Sequence, residues 1–209
     1  MDPTLTTVVF DIGGVLLDWN PRYLYSQVFR EASEVEYFLE NICTHEWHHR
    51  HNLGEDVQES CERLAALHPE YREMIMAWGE RGEEMVSGQI DEVVSVLDMV
   101  KSRGYRSYAL SNMERCSFLA RRTRFEFFDW FDGCVISGFE GVAKPERQIF
   151  DILFARYQVE PARSIFIDDS VRNIDMARSL GMRAIQYESP SGLTEGLAAY
   201  GLPVSSPGG

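Results

Sequence analysis

The spacing of apolar residues switches between two patterns along this chain, and the switches outline its architecture. Thr6 to Phe10 (TTVVF) is a short β-branched and aromatic run bounded by Pro3 and by Gly13-Gly14. That pattern predicts a buried strand ending in a tight turn. From Asn20 onward helical spacing takes over. Asn20-Pro21 reads as an N-cap followed by proline at the first helical position. Ser33-Glu34-Val35-Glu36 reads as a capping box ahead of Val35, Phe38, Leu39 and Ile42. Val57, Cys61 and Leu64 predict a further helix, and Pro69 opens another carrying Tyr71, Met74, Ile75 and Trp78. Residues 19–88 are therefore expected to form a helical bundle without strands.

After Gly88 helices and strands alternate. Ile90, Val93, Val94, Leu97 and Val100 form a helical stripe closed by Gly104. Strands are expected at Tyr105 to Leu110, Cys134 to Ser137, Ser164 to Asp168 and Arg183 to Tyr187, with helices at Glu114 to Thr123, Glu146 to Tyr157 and Asn173 to Leu180. Such alternation implies right-handed βαβ units and an α/β fold with a mostly parallel five-stranded sheet. The first strand precedes the bundle, so the bundle is an insertion after strand one. Residues 1–18 and 89–209 would form the core, and 19–88 the inserted domain. The Pro-, Ser- and Gly-rich tail from Gly201 is expected to fray.

Composition narrows the function. The 209 residues carry a formal net charge of −13. That charge disfavours nucleic acid and anionic membrane surfaces as partners. Cys43, Cys61, Cys116 and Cys134 form no C-x-x-C pair and are expected to be free buried thiols in a reducing compartment. With no leader-like start and no long apolar run, a soluble cytoplasmic protein is expected, monomeric or homodimeric.

In a parallel sheet, ligands bind beyond the carboxyl ends of the strands. Asp11, Ser111-Asn112, Lys144 and Asp168-Asp169 all fall there. A carboxylate such as Asp11 can attack phosphorus, but it repels a phosphate dianion unless a divalent cation binds oxygens of both. Asp168 and Asp169 supply further hard oxygen ligands, and Lys144 adds a fixed positive charge. Ser111 and the Asn112 amide can donate to phosphate oxygens. Gly13 and Gly14 let backbone N–H groups turn toward an anion.

These segments, VVFDIGGVLLDWN, LSNM, AKPERQIF and FIDDSVRNI, resemble the motifs of the haloacid-dehalogenase-like superfamily, in order and across nearly the whole chain. The resemblance implies a Rossmann-like core with a small helical cap. It implies Mg²⁺ as cofactor and Asp11 as nucleophile, with an aspartyl-phosphate intermediate and a small phosphorylated metabolite as substrate. Ser111 and Lys144 would bind phosphate, and Asp11, Asp168, Asp169 and the Gly13 carbonyl would hold the metal. The sequence departs from the common pattern at one place. Gly13 stands where most phosphatases of the family carry a second aspartate as general acid and base. The pattern is similar to a DxG branch that includes glucose-1-phosphate phosphatases. A 2-haloacid dehalogenase and a non-catalytic phosphate-binding or regulatory protein are the competing readings.

His45-Glu46-Trp47-His48-His49 matches H-E-x-x-H, but Asn52 and Glu55 stand where the glycine and histidine of a longer zinc-protease motif would lie. A solvated or cleft-lining polar face fits better than a zinc site, with His45, His48 or His49 touching substrate from the cap as the alternative. Trp19 is expected at the hinge or as a wall of the cleft, and Asp18 at the hinge. Asn173 either orients metal ligands or caps a helix. Arg115, Arg121, Arg122 and Arg124 read as a solvated helix face, and Phe125 to Phe131 as core.

Overall fold

The computed structural model describes residues 4–202. The chain enters through β1 (Thr7–Phe10) and turns into β2 (Leu17–Trp19). Helices α1 (Arg22–Val28), α2 (Ala32–Asn41), α3 (His45–Asn52), α4 (Val57–Leu67) and α5 (Arg72–Glu80) follow. The chain returns through β3 (Val86–Gln89) to α6 (Asp91–Ser102), β4 (Arg106–Ser111) and α7 (Arg115–Arg124). It then forms β5 (Gly133–Ile136), α8 (Ser137–Glu140), α9 (Arg147–Tyr157), β6 (Ser164–Asp168), α10 (Val171–Ser179), β7 (Arg183–Gln186) and α11 (Pro190–Ala199).

Five strands form one parallel sheet in the order β5-β4-β1-β6-β7. β1 lies at its centre and every residue of it is buried, as expected for a strand covered on both faces. Val8 and Phe10 point into one apolar cluster with α6 and the Phe125–Phe128 segment, and Val9 into another with α9 and α10. Helices α1–α5 enclose a third cluster around Tyr25, Phe38, Trp47, Ile75 and Trp78. The expected Phe-rich core is present: Phe125, Phe127 and Phe128 are all buried.

Several expectations need correction. The insertion is not strand-free at its base: β2 and β3 pair antiparallel where the chain leaves and rejoins the sheet. Three-residue pairing with a bulge leaves too little alternation to read from sequence. Asp18 in this ribbon accepts hydrogen bonds from Tyr23 Oη and Ser87 Oγ, tying both chain crossings to α1. The capping box of α2 is built on Glu31 and Glu34, not Ser33. α11, which sequence reading passed over, starts at a Ser189 N-cap followed by Pro190 and buries Leu193 and Leu197. The expected fraying concerns residues beyond the described ones, apart from Gly201 and Leu202, and Leu202 is buried. The cysteines are free, but Cys116 is exposed and Cys134 only partly buried. Among the described residues, no helix is long and apolar enough to cross a membrane.

Helix α3 carries an unusual load. His51 is fully buried edge-on to Trp47, with ring centroids 4.3 Å apart, and neither ring nitrogen has a hydrogen-bond partner among the described residues. Burial pulls its pKa down to about 4, with Glu55 and Asp56 opposing and Arg50 and Arg63 reinforcing. Burial, then His51 and His45, hold His48 at about 3. An unfolded histidine takes its proton near pH 6.5. Between that value and the folded one the unfolded state binds more protons, so stability falls as pH falls. Urea titrations from about pH 7 to about pH 4.5 should show this loss, on the order of 3 kcal/mol per fully buried ring. His51→Leu should flatten the slope; an unchanged slope would show that His51 titrates normally.

Candidate active site

Three strands deliver acids or a hydroxyl to the carboxyl edge of the sheet. β1 ends at Phe10 and presents Asp11, β4 ends on Ser111, and β6 ends on Asp168. Parallel register places Phe10 beside Ala109 and Ile167, so these ends cannot drift apart without breaking the sheet. Lys144 comes by a different route. It follows β5, as expected, with α8 in between, and Asn112 anchors the loop that follows. Asn112 Oδ1 accepts from the Lys144 backbone N–H at 2.8 Å, and its Nδ2 donates to the Lys144 carbonyl at 2.9 Å. The Asn112 amide, expected to face phosphate, is thus engaged in positioning Lys144.

The side chains converge. Asp11 Oδ1 accepts from the Ile12 N–H at 2.7 Å and from Ser111 Oγ at 2.8 Å. Lys144 Nζ lies 2.9 Å from Asp11 Oδ2 and 2.6 Å from Asp168 Oδ2. Asp168 also accepts from the Ser170 N–H at 2.8 Å and from Asn173 Nδ2 at 2.9 and 3.0 Å. Of the two expectations for Asn173, the side chain follows the first: it holds Asp168, and Ser170 is the N-cap of α10.

One ammonium therefore serves two buried carboxylates, with Asp169 as a third acid nearby. One oxygen from each of Asp11, Asp168 and Asp169 lies within 4.8 Å of the others. Burial pushes Asp11 up to about 7; Lys144 opposes this and Asp168 and Asp169 add to it. Burial and Asp168 raise Asp169 as well. Burial alone would depress Lys144, but Asp11 and Asp168 outweigh it and raise its pKa. This excess of negative charge on hard oxygens suits a small divalent cation.

The two glycines differ. Gly14 has φ of 76°, and a Cβ there would sit 2.5 Å from Asp169 Oδ2. A Cβ on Gly13 would meet nothing within 4 Å.

Above the acids opens a cleft of about 870 Å³, and Trp19, His45, His48 and His49 all line it. The Trp19 and His48 rings stack with centroids 5.2 Å apart, and His48 also packs on Trp78 at 5.1 Å. His48 is thus a neutral aromatic wall. His45 and His49 share a face of α3, their rings stacked 6.2 Å apart. Among the described residues no third metal-ligating side chain joins them.

Sequence reading missed two cleft residues. Arg121 was read as part of a solvated face, yet it is 6% exposed and lines the cleft with Glu114. The signal was present: Phe118, Arg121 and Phe125 fall three and four residues apart on the inward stripe of α7.

The family model for haloacid dehalogenase-like hydrolases matches residues 5–181, and the chain belongs to that family of hydrolases. A sesquiterpene phosphatase of Aspergillus oryzae is 26% identical, over 87% of this chain and 89% of that protein. A phosphorylated carbohydrates phosphatase of Thermotoga maritima is 24% identical, over 93% and 89%. Among solved structures, a family enzyme of Bacteroides thetaiotaomicron in complex with magnesium and inorganic phosphate superposes with a TM-score of 0.66. It is 18% identical, covering 88% of this chain and 94% of that one.

The glycine contrast is testable. Gly14→Ala should cost roughly 1–3 kcal/mol in urea unfolding, because the residue needs a left-handed backbone and the methyl displaces Asp169. It should also weaken Mg²⁺ binding in calorimetric titration. Gly13→Ala should stay within about 0.5 kcal/mol of the parent. Equal behaviour of the two variants would contradict the geometry.

Proposed function

We propose that this chain is a Mg²⁺-dependent phosphatase that hydrolyses small phosphate monoesters, sugar phosphates among them, through an aspartyl-phosphate on Asp11. The observation that carries this reading is the hydrogen-bonded chain Ser111–Asp11–Lys144–Asp168, closed by Asn173, at the carboxyl edge of the sheet. Asp11, Asp168, Asp169 and the Gly13 carbonyl would hold the magnesium ion, which supplies positive charge to the phosphate oxygens. Ser111 and Lys144 would take the remaining phosphate oxygens, with the Gly13 N–H beside them; the Gly14 N–H, expected to face the anion, instead donates to the Leu17 carbonyl at 2.9 Å. An Asp11 oxygen forms the bond to phosphorus as the phosphorus–alcohol oxygen bond breaks, and the departing alcohol takes a proton from solvent. Water then attacks phosphorus, releasing phosphate and restoring the Asp11 carboxylate. Residues 19–88 would act as a cap, closing through the β2–β3 ribbon to exclude water and select the leaving group.

The same fold supports dehalogenation, in which an aspartate attacks carbon and no metal is used. Three crowded acids would then serve no purpose, so the phosphatase reading is the better supported. Gly13 is the best support for a non-catalytic phosphate binder, and the intact Asp11–Lys144–Asp168 chain opposes it.

Asp11→Asn should reduce Mg²⁺-dependent phosphate release from p-nitrophenyl phosphate on the order of 10³-fold or more, and chelation with EDTA should remove it. Activity surviving in Asp11→Asn would exclude the covalent route. Because the space beside Gly13 is open, Gly13→Asp should fold and raise turnover of esters with poor leaving groups, toward the ~10²–10⁴-fold that general acid catalysis contributes.

A further inference from the structure

One face of α7 is built into the cleft. Glu114, Ser117 and Arg121, spaced three and four residues apart, all line it. Glu114 occupies the N-cap position of α7, yet its side chain makes no cap hydrogen bond. Its Oε1 accepts from Ser117 Oγ, and its buried Oε2 has no partner among the described residues. Arg121 has a side chain 7% exposed. Its Nε donates to Glu83 Oε1 at 3.2 Å, while its Nη groups have no hydrogen-bond partner among the described residues. The fold thus withdraws an acceptor from water and leaves it unmatched, with the Nη donors of Arg121, beyond its Glu83 contact, on the same face and the stacked Trp19–His48 wall in the same cleft. Leaving a buried acceptor unmade is costly, so the Glu114 oxygen marks a place where a ligand completes the set.

Resting on the phosphatase reading, we infer that Glu114 and Arg121 form the leaving-group subsite, reading the hydroxyls of a polyol or sugar phosphate. Glu114 Oε2 accepts from one hydroxyl and the Arg121 Nη groups donate to others. The Trp19–His48 rings pack against the carbon skeleton, as ring faces do in mixed polar and apolar sites. Burial raises the Glu114 pKa, with the Ser117 hydroxyl opposing, so neutral donors suit this acid. An isoprenoid or other apolar leaving group would leave the Glu114 oxygen without a partner and add none for the Arg121 Nη groups. A compact phosphoamino acid would match their charges but fill little of a cleft of about 870 Å³. Selection would therefore come partly from α7 of the core, beside the helical insertion.

The test compares kcat/KM for D-ribitol 5-phosphate, O-phosphoserine and p-nitrophenyl phosphate, with Mg²⁺, in the full chain and in Glu114→Leu, Glu114→Gln and Arg121→Lys. The preference for ribitol 5-phosphate over the aryl ester should fall about 10–100-fold in Glu114→Leu and Arg121→Lys, chiefly through KM. Glu114→Gln keeps one acceptor oxygen and should recover part of the loss. Melting curves identify a variant that fails to fold, and the surviving variant then decides. Parallel loss on both substrates would reduce the pair to a structural role and overturn the inference. So would a loss confined to phosphoserine, or an unchanged ratio while the parent still cleaves the aryl ester. No phosphate release from any ester by the parent would instead remove the phosphatase reading itself, and the subsite with it.

Discussion

A single buried ammonium between two buried carboxylates governs this molecule. Lys144 Nζ touches both Asp11 and Asp168, and none of the three groups is appreciably solvated. Desolvating such charges is expensive, and one cation cannot neutralise two acids. The arrangement persists because its parts are fixed elsewhere. Asp168 is held by Asn173 and the Ser170 N–H, Asp11 by Ser111 and the Ile12 N–H, and Lys144 by the Asn112 clamp on its backbone. The apolar parallel sheet beneath provides the rigidity that keeps like charges together. The outcome is a site with one ammonium among three acids, and a divalent ion with an anionic substrate is the chemistry that such a deficit accommodates.

The same deficit reconciles the net charge of −13 with an anionic substrate. Acids dominate the whole chain, and Glu40, Glu46 and Glu114 join the metal-type acids in the cleft, but Lys144, Arg22, Arg121 and Arg172 line it too, with Lys144 on Asp11 itself. Local charge inside a low-dielectric cleft outweighs distant, screened charge outside. Two further charges strengthen the frame: Glu83, next to the ribbon, pairs with both Arg121 and Arg124 and so links the base of the insertion to α7.

Sequence was informative where period and chemistry coincide. β1 reads as a strand because each of its residues is apolar or β-branched, and its end dictates where Asp11 lies. The same logic located Ser111 and Asp168. It failed where a residue's duty is set by a distant partner. Asn112 looks like a phosphate donor until the loop after α8 folds back onto it. Asn173 looks equally like a cap until Asp168 is seen beneath it. Arg121 carried a legible signal, a charge on an apolar stripe, that its basic neighbours Arg122 and Arg124 masked. The β2–β3 ribbon is too short to leave any period, and the two glycines of α11 hid its helical stripe.

On the proposed phosphatase reading, Gly13 bears on the choice of substrate. The open space beside it shows that packing does not forbid a side chain there, so the absence of an acid is not a steric necessity. Without that acid, a leaving alcohol must depart with less help, and the rate depends more on how well it is held and how stable it is as it leaves. An anomeric or otherwise activated oxygen meets the second demand. Glu114, with its unpartnered oxygen, and Arg121 would meet the first, because binding energy from remote hydroxyls can be used to orient the reacting ester. In that account the missing aspartate and the unpartnered Glu114 oxygen at the start of α7 are two sides of one design, in which positioning takes over part of the work of proton transfer.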